Sequence, residues 1–351
     1  MEIGSEMQLN LKDINEIATD NIFEYLSDYN CIFLDSGRSA LRLIDKLLPK
    51  GGILLPDYIC ESVNECFNDR EIHYYRINRD FTIDIASLKS QSMRFNPKIV
   101  YVMNYWGITM GQKEQGYIRE YCDQKDIIII EDTSHSVFSK AATVGDYCVC
   151  SIRKWFPVAR GGLLYSKKPL RFDGELIKYG ASEDKLIAQG MKQLYIREGS
   201  SDYNTIYRKI FSNDIKQLNE QHEIFYMPPF SRFILERLSI GDVIKKRKRN
   251  LIMLNRNIIA YSLPVRPAVN FPTGIVPFTF PIYVKNRDEL RRYLEKKQIY
   301  CAIHWPMGWK DTDLGCCAMS SEIISLNIDQ RYGSDEMNRI AKEIFNFYYE
   351  G

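Results

Sequence analysis

Between residues 36 and 166, short and largely apolar runs alternate with segments of helical spacing, and this alternation limits the fold more than any other feature of the chain. The runs are Gly52–Leu55, Glu71–Ile77, Lys98–Met103, Ile127–Ile130, Cys148–Ile152 and Gly162–Tyr165. Runs of this kind suit strands buried on both faces, which means a mostly parallel sheet covered by helices. Between them, Ser39–Leu48 puts Leu41, Ile44, Leu47 and Leu48 on one helical stripe, and Gln112–Lys125 does the same with Ile118, Tyr121 and Cys122. The expected class is α/β.

The remainder is less regular. Residues 167–226 mix polar and aromatic side chains without a repeat and read only as helices and loops. From Phe230 to Ala260 the spacing of Phe233, Ile234, Leu238, Val243, Leu251 and Leu254 predicts a long or broken helix. That helix carries the cation run IKKRKRN, Ile244–Asn250, expected to be a solvated face. Pro277–Val284, Asp288–Lys297, Ile324–Ile328 and Asp335–Tyr348 suggest a small α+β domain. The expected division is an N-terminal segment 1–30, a large α/β domain 31–245 and a small C-terminal domain 246–351.

With 47 Lys and Arg against 45 Asp and Glu in 351 residues, the charge gives no general attraction to nucleic acid or to an anionic membrane. Any anion bound must be met locally. The nine cysteines lack disulfide-like spacing and read as reduced thiols. The opening MEIGSEMQLNLKDINE has no apolar core flanked by basic residues, and no stretch offers about 18 uninterrupted apolar residues. A soluble cytoplasmic protein is expected.

Local chemistry concentrates at three places. Ser36-Gly37-Arg38-Ser39 lies between the apolar Cys31–Leu34 and the first helix. A capping serine, a glycine that allows close backbone approach and free amides make either an anion cradle or an ordinary cap. Ile127–Ile130 then runs into Glu131-Asp132-Thr133-Ser134-His135, at the strand end where open α/β sheets bind ligands. Asp132 or Thr133 could instead cap a helix there. With four histidines in all and no second acidic cluster, Asp132 and His135 do not suggest a metal site. Lys154 stands in SIRKWFPVARGG between Arg153 and Trp155. A neighbouring cation and partial burial favour the neutral, nucleophilic amine, although a lysine at a loop edge is the commoner case. In chain order, anion turn, strand-end acid and amine match the phosphate, ring nitrogen and aldehyde of pyridoxal 5′-phosphate (PLP).

The order SGRSAL, LLPDYICES, IIIIEDTSHS, GDYCVCSIRK and GG over residues 36–162 resembles the fold-type-I PLP-dependent aminotransferases, and most of all the DegT/StrS group of sugar aminotransferases. The resemblance continues more faintly through Met227–Leu238 and Ile303-His304-Trp305-Pro306. It implies that Ser36, Gly37, Arg38, Ser39 and Ser151 hold phosphate, and that Tyr58 stacks on the cofactor ring. Asp132 would bind the pyridine nitrogen, and His135 stands where the family has a glutamine. Lys154 takes the place of the Schiff-base lysine, although the interval from Ser151 is about two residues shorter than usual. Asn204 and Arg232 are the candidates for a contact from a partner subunit, and His304 is a candidate for the substrate side.

The resemblance thus implies transfer of an amino group, with glutamate the expected donor, to a keto sugar that is nucleotide-linked, in surface polysaccharide or secondary metabolite synthesis. It also implies a homodimer with shared active sites and no metal. The alternatives are another PLP-dependent reaction on an amino acid, either lyase or acyl transfer, and a binding protein that keeps the fold without turnover.

Overall fold

The computed structural model describes residues 2–14, 16–172, 177–180, 182–308 and 315–350. In chain order the strands are β1 (Ile3–Gly4), β2 (Asn30–Leu34), β3 (Ile53–Pro56), β4 (Ile72–Tyr75), β5 (Ile99–Met103), β6 (Ile128–Asp132), β7 (Tyr147–Cys150), β8 (Gly162–Ser166), β9 (Ile177–Tyr179), β10 (Phe225–Tyr226), β11 (Arg266–Pro267), β12 (Phe280–Tyr283), β13 (Ile299–Tyr300) and β14 (Ile323–Leu326). The helices are α1 (Ile22–Tyr25), α2 (Gly37–Leu47), α3 (Glu61–Asn64), α4 (Ile85–Phe95), α5 (Gln112–Gln124), α6 (Glu183–Glu198), α7 (Ser201–Glu220), α8 (Pro229–Leu235), α9 (Ile240–Ala260), α10 (Arg287–Lys296), α11 (Cys316–Glu322) and α12 (Ser334–Tyr349).

These elements pack as two compact units interleaved in sequence. Glu6–Leu48 and Asp146–Ile240 form the first; Glu2–Ser5, Pro49–Gly145 and Gly241–Gly351 form the second. This partition differs from consecutive domains divided at 245/246, a point that falls inside helix α9.

In the second unit β4, β3, β5 and β6 lie side by side in that order, all parallel. Strands β3 and β5 are buried along their whole length, as their unbroken apolar runs require. Helix α4 packs on β4 and α5 on β6. The antiparallel sheet β11-β12-β14 and helices α10 and α12 share a core that includes Phe280, Ile282, Leu290, Leu294, Ile324, Leu326, Ile340 and Ile344. Here the expected small α+β pattern matches the observed elements closely.

In the first unit the order is β7-β8-β2-β10-β9. Strand β8 runs antiparallel to both β7 and β2, because the short connection from Cys150 to Gly162 returns the chain beside the strand it left. Helix α2 lies against β2, β7 and β8, burying Ala40, Leu41, Leu43 and Ile44.

Helices α6 and α7 pack on each other across the segment whose pattern gave no clear reading. Their buried faces explain why. Beside Ala188, Tyr207 and Phe211 they bury Lys185, Gln189, Lys192 and Asp214, so polar residues interrupt the apolar period. Those charges are compensated. Asp214 takes Arg160 Nη1 at 2.5 Å and Lys185 Nζ at 3.3 Å, and Lys185 Nζ also reaches Glu6 Oε2 at 3.3 Å.

The cation run on α9 likewise departs from a fully solvated face. Arg247 is buried and donates to the carbonyl oxygen of Phe278 at 2.7 Å and to Gln330 Oε1 at 2.9 Å. Burial pulls its pKa down to about 10, which leaves it charged at neutral pH. Val243, Arg247, Asn250 and Leu254 are all buried, at the spacing of one helical stripe, so the run divides between solvent and core. No helix among the described residues is long and apolar enough to cross a membrane.

The ion cluster of the first unit yields a pH prediction. Burial opposes ionisation of Glu6, but Lys185, Arg153 and Lys192 outweigh it and hold the carboxyl down from its ordinary 4.5 to about 2. A depressed carboxyl stabilises the fold above the ordinary value, and that contribution fades as pH falls from 4.5 toward 2. Glu6→Gln should therefore melt below the wild type at pH 7, with the gap closing as the buffer is taken down through that window. A gap that stays constant over the whole range would contradict the assignment.

Candidate active site

The first unit assembles the phosphate candidates and the lysine. Ser36 leaves β2 in an extended conformation and caps α2, its Oγ accepting from Ser39 N at 3.1 Å. The first turn of α2 approaches Ser151 so closely that a Cβ on Gly37 would lie 3.2 Å from Ser151 Cβ. Gly162 faces the same turn from β8, and a Cβ there would fall 2.0 Å from the carbonyl oxygen of Ser36. Three backbone segments distant in sequence thus converge at the N-terminus of an eleven-residue helix. Helix amides and dipole at such a turn favour an anion.

A short 3-10 turn, Ile152–Lys154, follows Ser151, with Lys154 N donating to Ser151 O at 3.1 Å. That turn brings Lys154 into the neighbourhood of the cradle. Lys154 and Arg153 are half-buried, whereas Trp155 and Phe156 are fully inside.

A buried carboxylate underlies this turn. Asp35 Oδ1 accepts from Ser39 Oγ at 2.5 Å, and Oδ2 accepts from Gln221 Nε2 at 2.8 Å. Burial pushes the Asp35 carboxyl above its ordinary range, against the lowering effect of those donors and of Arg160. The Ser39 hydroxyl is engaged with Asp35, while the Ser39 amide is capped by Ser36. Gln221 and Asp35 were not marked by the sequence, since neither belongs to a recognisable motif.

Three other cations of the first unit, Arg38, Arg208 and Arg232, have local partners. Arg38 donates to the carbonyl oxygen of Leu218 at 2.9 Å and to Asn219 Oδ1 at 2.7 Å, where the C-terminal end of α7 attracts a cation and occupies two of its five donors. Asn204 Oδ1 accepts from Arg208 Nε at 2.6 Å along the same helix. Arg232 lies 4.6 Å over the Phe23 ring and pairs with Glu236 at 3.0 Å.

The second unit assembles the remaining candidates. Asp132 ends β6, buried, with Oδ2 accepting from Tyr101 Oη at 2.7 Å and Oδ1 from Ser134 N at 2.7 Å. Burial, then the adjacent carboxylate, raises the Tyr101 phenol far above its usual range, so it remains a hydrogen-bond donor at any ordinary pH. These two donors fix the Asp132 carboxylate and leave it lone pairs for a third partner. Glu131 serves the scaffold instead. It accepts from Asn104 Nδ2 at 2.7 Å and from Thr143 Oγ1, Val144 N and Gly145 N at 2.8 to 2.9 Å, which ties the 143–145 loop to the strand.

Three residues far apart in sequence meet in an aromatic cluster. His135 stacks on Phe278 at 4.1 Å and on Trp305 at 5.5 Å, and its ring lies 5.4 Å from that of His304. Tyr58 is fully buried, with Trp305 at 5.9 Å and Phe81 at 5.3 Å, and its hydroxyl donates to the His304 carbonyl oxygen. His304 Nδ1 is 2.9 Å from Ser325 Oγ. Tyr101 and Phe278 escaped the sequence reading because an aromatic in an apolar run looks like ordinary core, and Trp305 entered it only as part of the segment Ile303–Pro306.

Each unit by itself holds groups of a kind that suits one part of PLP. Unit one offers the first amides of α2 and nearby Ser151 for a phosphate, with the Ser36 hydroxyl donating to Ser39 Oγ at 3.1 Å and shaping the turn, and a half-buried amine one short turn away. Unit two offers a fixed buried carboxylate for a protonated ring nitrogen, with aromatic surface nearby.

No protein-family model matches the sequence, and no curated protein matches it. Solved structures do resemble it in fold. A DegT DnrJ EryC1 StrS aminotransferase from Brucella abortus aligns over 93% of this chain and 88% of its own, with TM-score 0.65 at 14% identity. A protein of Streptococcus pneumoniae described as a sugar aminotransferase, in its PLP form, aligns over 100% and 99%, with TM-score 0.70 at 14% identity. PseC of Helicobacter pylori, an aminotransferase of pseudoaminic acid biosynthesis, aligns over the full length of both chains, with TM-score 0.70 at 13% identity. The chain therefore has the fold-type-I aminotransferase architecture that the motifs implied.

The close approach at the cradle is open to test. Gly162→Ala must push the Ser36 turn away, so it should destabilise the fold by about 1 to 3 kcal/mol and weaken binding of a phosphate ester. Gly190→Ala is the control: it sits in α6 with nothing within 4 Å of its Cβ, and should raise stability by up to about 1 kcal/mol. Equal melting temperatures and equal phosphate-ester affinities for the two variants would refute the close-approach reading.

Proposed function

We propose that this chain is a PLP-dependent aminotransferase that transfers an amino group from glutamate to a keto sugar carried on a nucleotide, working in the cytoplasm as a homodimer. The observation that carries the reading is the cradle of Ser36, Gly37 and Ser151 followed within one 3-10 turn by Lys154. The likeness to proteins solved in PLP and PMP forms supports it. Half-exposure of Lys154 speaks against a binding protein without turnover.

PLP, when bound, supplies an electron sink for the bond broken at the amino carbon. The α2 amides and the Ser151 hydroxyl would hold its phosphate, with Ser36 shaping the turn. Asp132, fixed by Tyr101 and Ser134, keeps the proton on the ring nitrogen. Lys154 would hold the cofactor through its Nζ, and its amine, when free, would take the proton lost from the donor's amino-bearing carbon in one half-reaction and supply a proton to the acceptor carbon in the other. Tyr58 and His135 bound the ring, and His304 faces the substrate.

Lys154→Ala should abolish the visible absorbance of the purified protein. Asp132→Asn should keep the cofactor and lose turnover by about 100-fold or more. Mixing the wild-type holoenzyme with glutamate should convert it to the amine form in a single turnover, as followed by absorbance. A Lys154→Ala protein that retains the absorbance, or a wild type left unchanged by every amino acid tried, removes the aminotransferase reading.

Shared sites have their own test. Lys154→Ala subunits mixed with subunits carrying both Asn204→Ala and Arg232→Ala should regain one active site per dimer. Full activity from a strictly monomeric species rules sharing out.

A further inference from the structure

An acid stands directly beneath the anion cradle of the first unit. Asp35 is fully buried and lies between the end of β2 and the capping Ser36. Two neutral side chains donate to its carboxylate, Ser39 from α2 and Gln221 from the end of α7. The main chain encloses it as well: Asp35 N donates to the Phe225 carbonyl oxygen of β10 at 3.1 Å, and Gly161 N donates to the Asp35 carbonyl oxygen at 2.6 Å. Of the cations on the surrounding elements, Arg160 acts on Asp35 but is paired with Asp214, and Arg38 is turned to the end of α7. Arg153 and Lys154 stand on the adjoining 3-10 turn, and Glu223, beyond Gln221, is exposed. A carboxylate placed here opposes the phosphate that the cradle suits.

The hydrogen bonds above it have a direction. An ionised carboxylate only accepts, so the Ser39 hydroxyl donates to Asp35 Oδ1 at 2.5 Å. The Ser36 hydroxyl donates in turn to Ser39 Oγ at 3.1 Å, while accepting from Ser39 N. Both hydroxyl protons are thus committed toward the acid, and an anion would meet oxygen lone pairs. Protonation of Asp35 reverses the chain. Gln221 Nε2 donates to Asp35 Oδ2 at 2.8 Å and to the Glu223 carbonyl oxygen at 3.2 Å, so Oδ2 remains an acceptor and the proton goes to Oδ1. From Oδ1 it donates to Ser39 Oγ, Ser39 donates to Ser36, and the Ser36 hydroxyl is released to the cradle. Burial already favours the neutral acid and raises the carboxyl above its ordinary range, against the effects of Ser39, Gln221 and Arg160.

We propose that Asp35 is a positioning residue whose uptake of one proton turns the Ser39 and Ser36 hydroxyls and makes the cradle receptive to a phosphate ester. The inference rests on the reading of this turn as the cofactor's phosphate site. The proton comes from solvent and stays on Oδ1 while the ester is bound, so a negative charge leaves the base of the cradle as the phosphate arrives. Affinity for the ester then falls as pH rises between the Asp35 pKa of the unliganded protein and the higher value of the complex, by about tenfold per unit at most. Asparagine at this position imitates the neutral acid, since its oxygen accepts from Gln221 and its amide donates to Ser39.

Titration calorimetry with pyridoxine 5′-phosphate, which has no aldehyde to react with Lys154, tests this on the full chain free of PLP. Repeating the titration in buffers of different ionisation enthalpy, between about pH 5.5 and 8.5, counts the protons taken up. At its maximum the wild type should take up at least about half a proton per site more than Asp35→Asn. At the upper end of the range Asp35→Asn should bind the ester more tightly than the wild type, with a pH dependence that follows the ligand's own titration.

A second pair of variants separates the hydroxyl chain from the mere loss of a charge. Ser36→Ala should weaken binding about 10-fold in the Asp35→Asn protein, where the hydroxyl already faces the anion, and by a smaller factor in the wild type at high pH. Melting curves verify that each variant folds; where one does not, the wild type's proton count beyond the ligand's own uptake decides. Equal proton counts for the wild type and Asp35→Asn, or a wild-type count that the ligand alone explains, overturn the proposal and leave the phosphate site standing. Equal losses from Ser36→Ala in the two proteins also overturn it. No binding of the ester to the wild type at millimolar concentration removes the phosphate site and the proposal together.

Discussion

The first unit depends on the contact between Ser36 and Gly162. A strand end, a helix start and the first residue of β8 come together there with no room for a methyl group. The contact follows from strand order: β8 pairs with β2 in a register that sets Gly162 opposite Leu34, two residues before Ser36. Any side chain at 162 would separate β8 from the turn. The amides of α2 would then lose the fixed orientation that makes a helix start attractive to an anion. Ser151 enters the same place from β7, so one glycine contact orders both serines and, through the next turn, Lys154.

Beneath this turn the first unit buries several charged groups. Asp214, Lys185 and Arg160 form a buried linked set that the half-buried Glu6 joins through Lys185, and Asp35 lies under the cradle with its ionisation opposed by burial. Such groups are costly to bury, and removing one partner of a buried pair typically costs about 3 to 5 kcal/mol. Their arrangement ties the N-terminal segment and α6 and α7 to the loop that holds Arg160. The polar interior is thus part of what fixes the geometry around Lys154.

The same interior set the limit of what could be read from the sequence. Strands such as Ile53–Pro56 and Ile99–Met103 were legible because burial on both faces leaves an unbroken apolar run. Helices α6 and α7 were not, because Lys185, Lys192 and Asp214 stand where an amphipathic pattern would have apolar residues. The run on α9 misled in the opposite direction: Arg247 reads as one of five solvated cations yet is held inside by carbonyl oxygens. Local motifs marked Ser36, Gly37, Asp132, Ser151 and Lys154. Tyr101 reaches Asp132, Gln221 reaches Asp35, and Phe278 and Trp305 pack on His135, all through tertiary contacts that leave no trace in spacing. Arg38 stood in the motif as a cation for an anion, and the structure ties its guanidinium to the end of α7.

The central claim is that the amine beside the cradle is the one that holds the cofactor. Borohydride reduction of PLP-loaded protein, followed by digestion and mass mapping of the labelled peptide, tests it most directly. The account predicts a single pyridoxyl group on Lys154, within the peptide that follows Ser151. A label on any other lysine, or a loaded protein in which Lys154 stays unmodified, would contradict it.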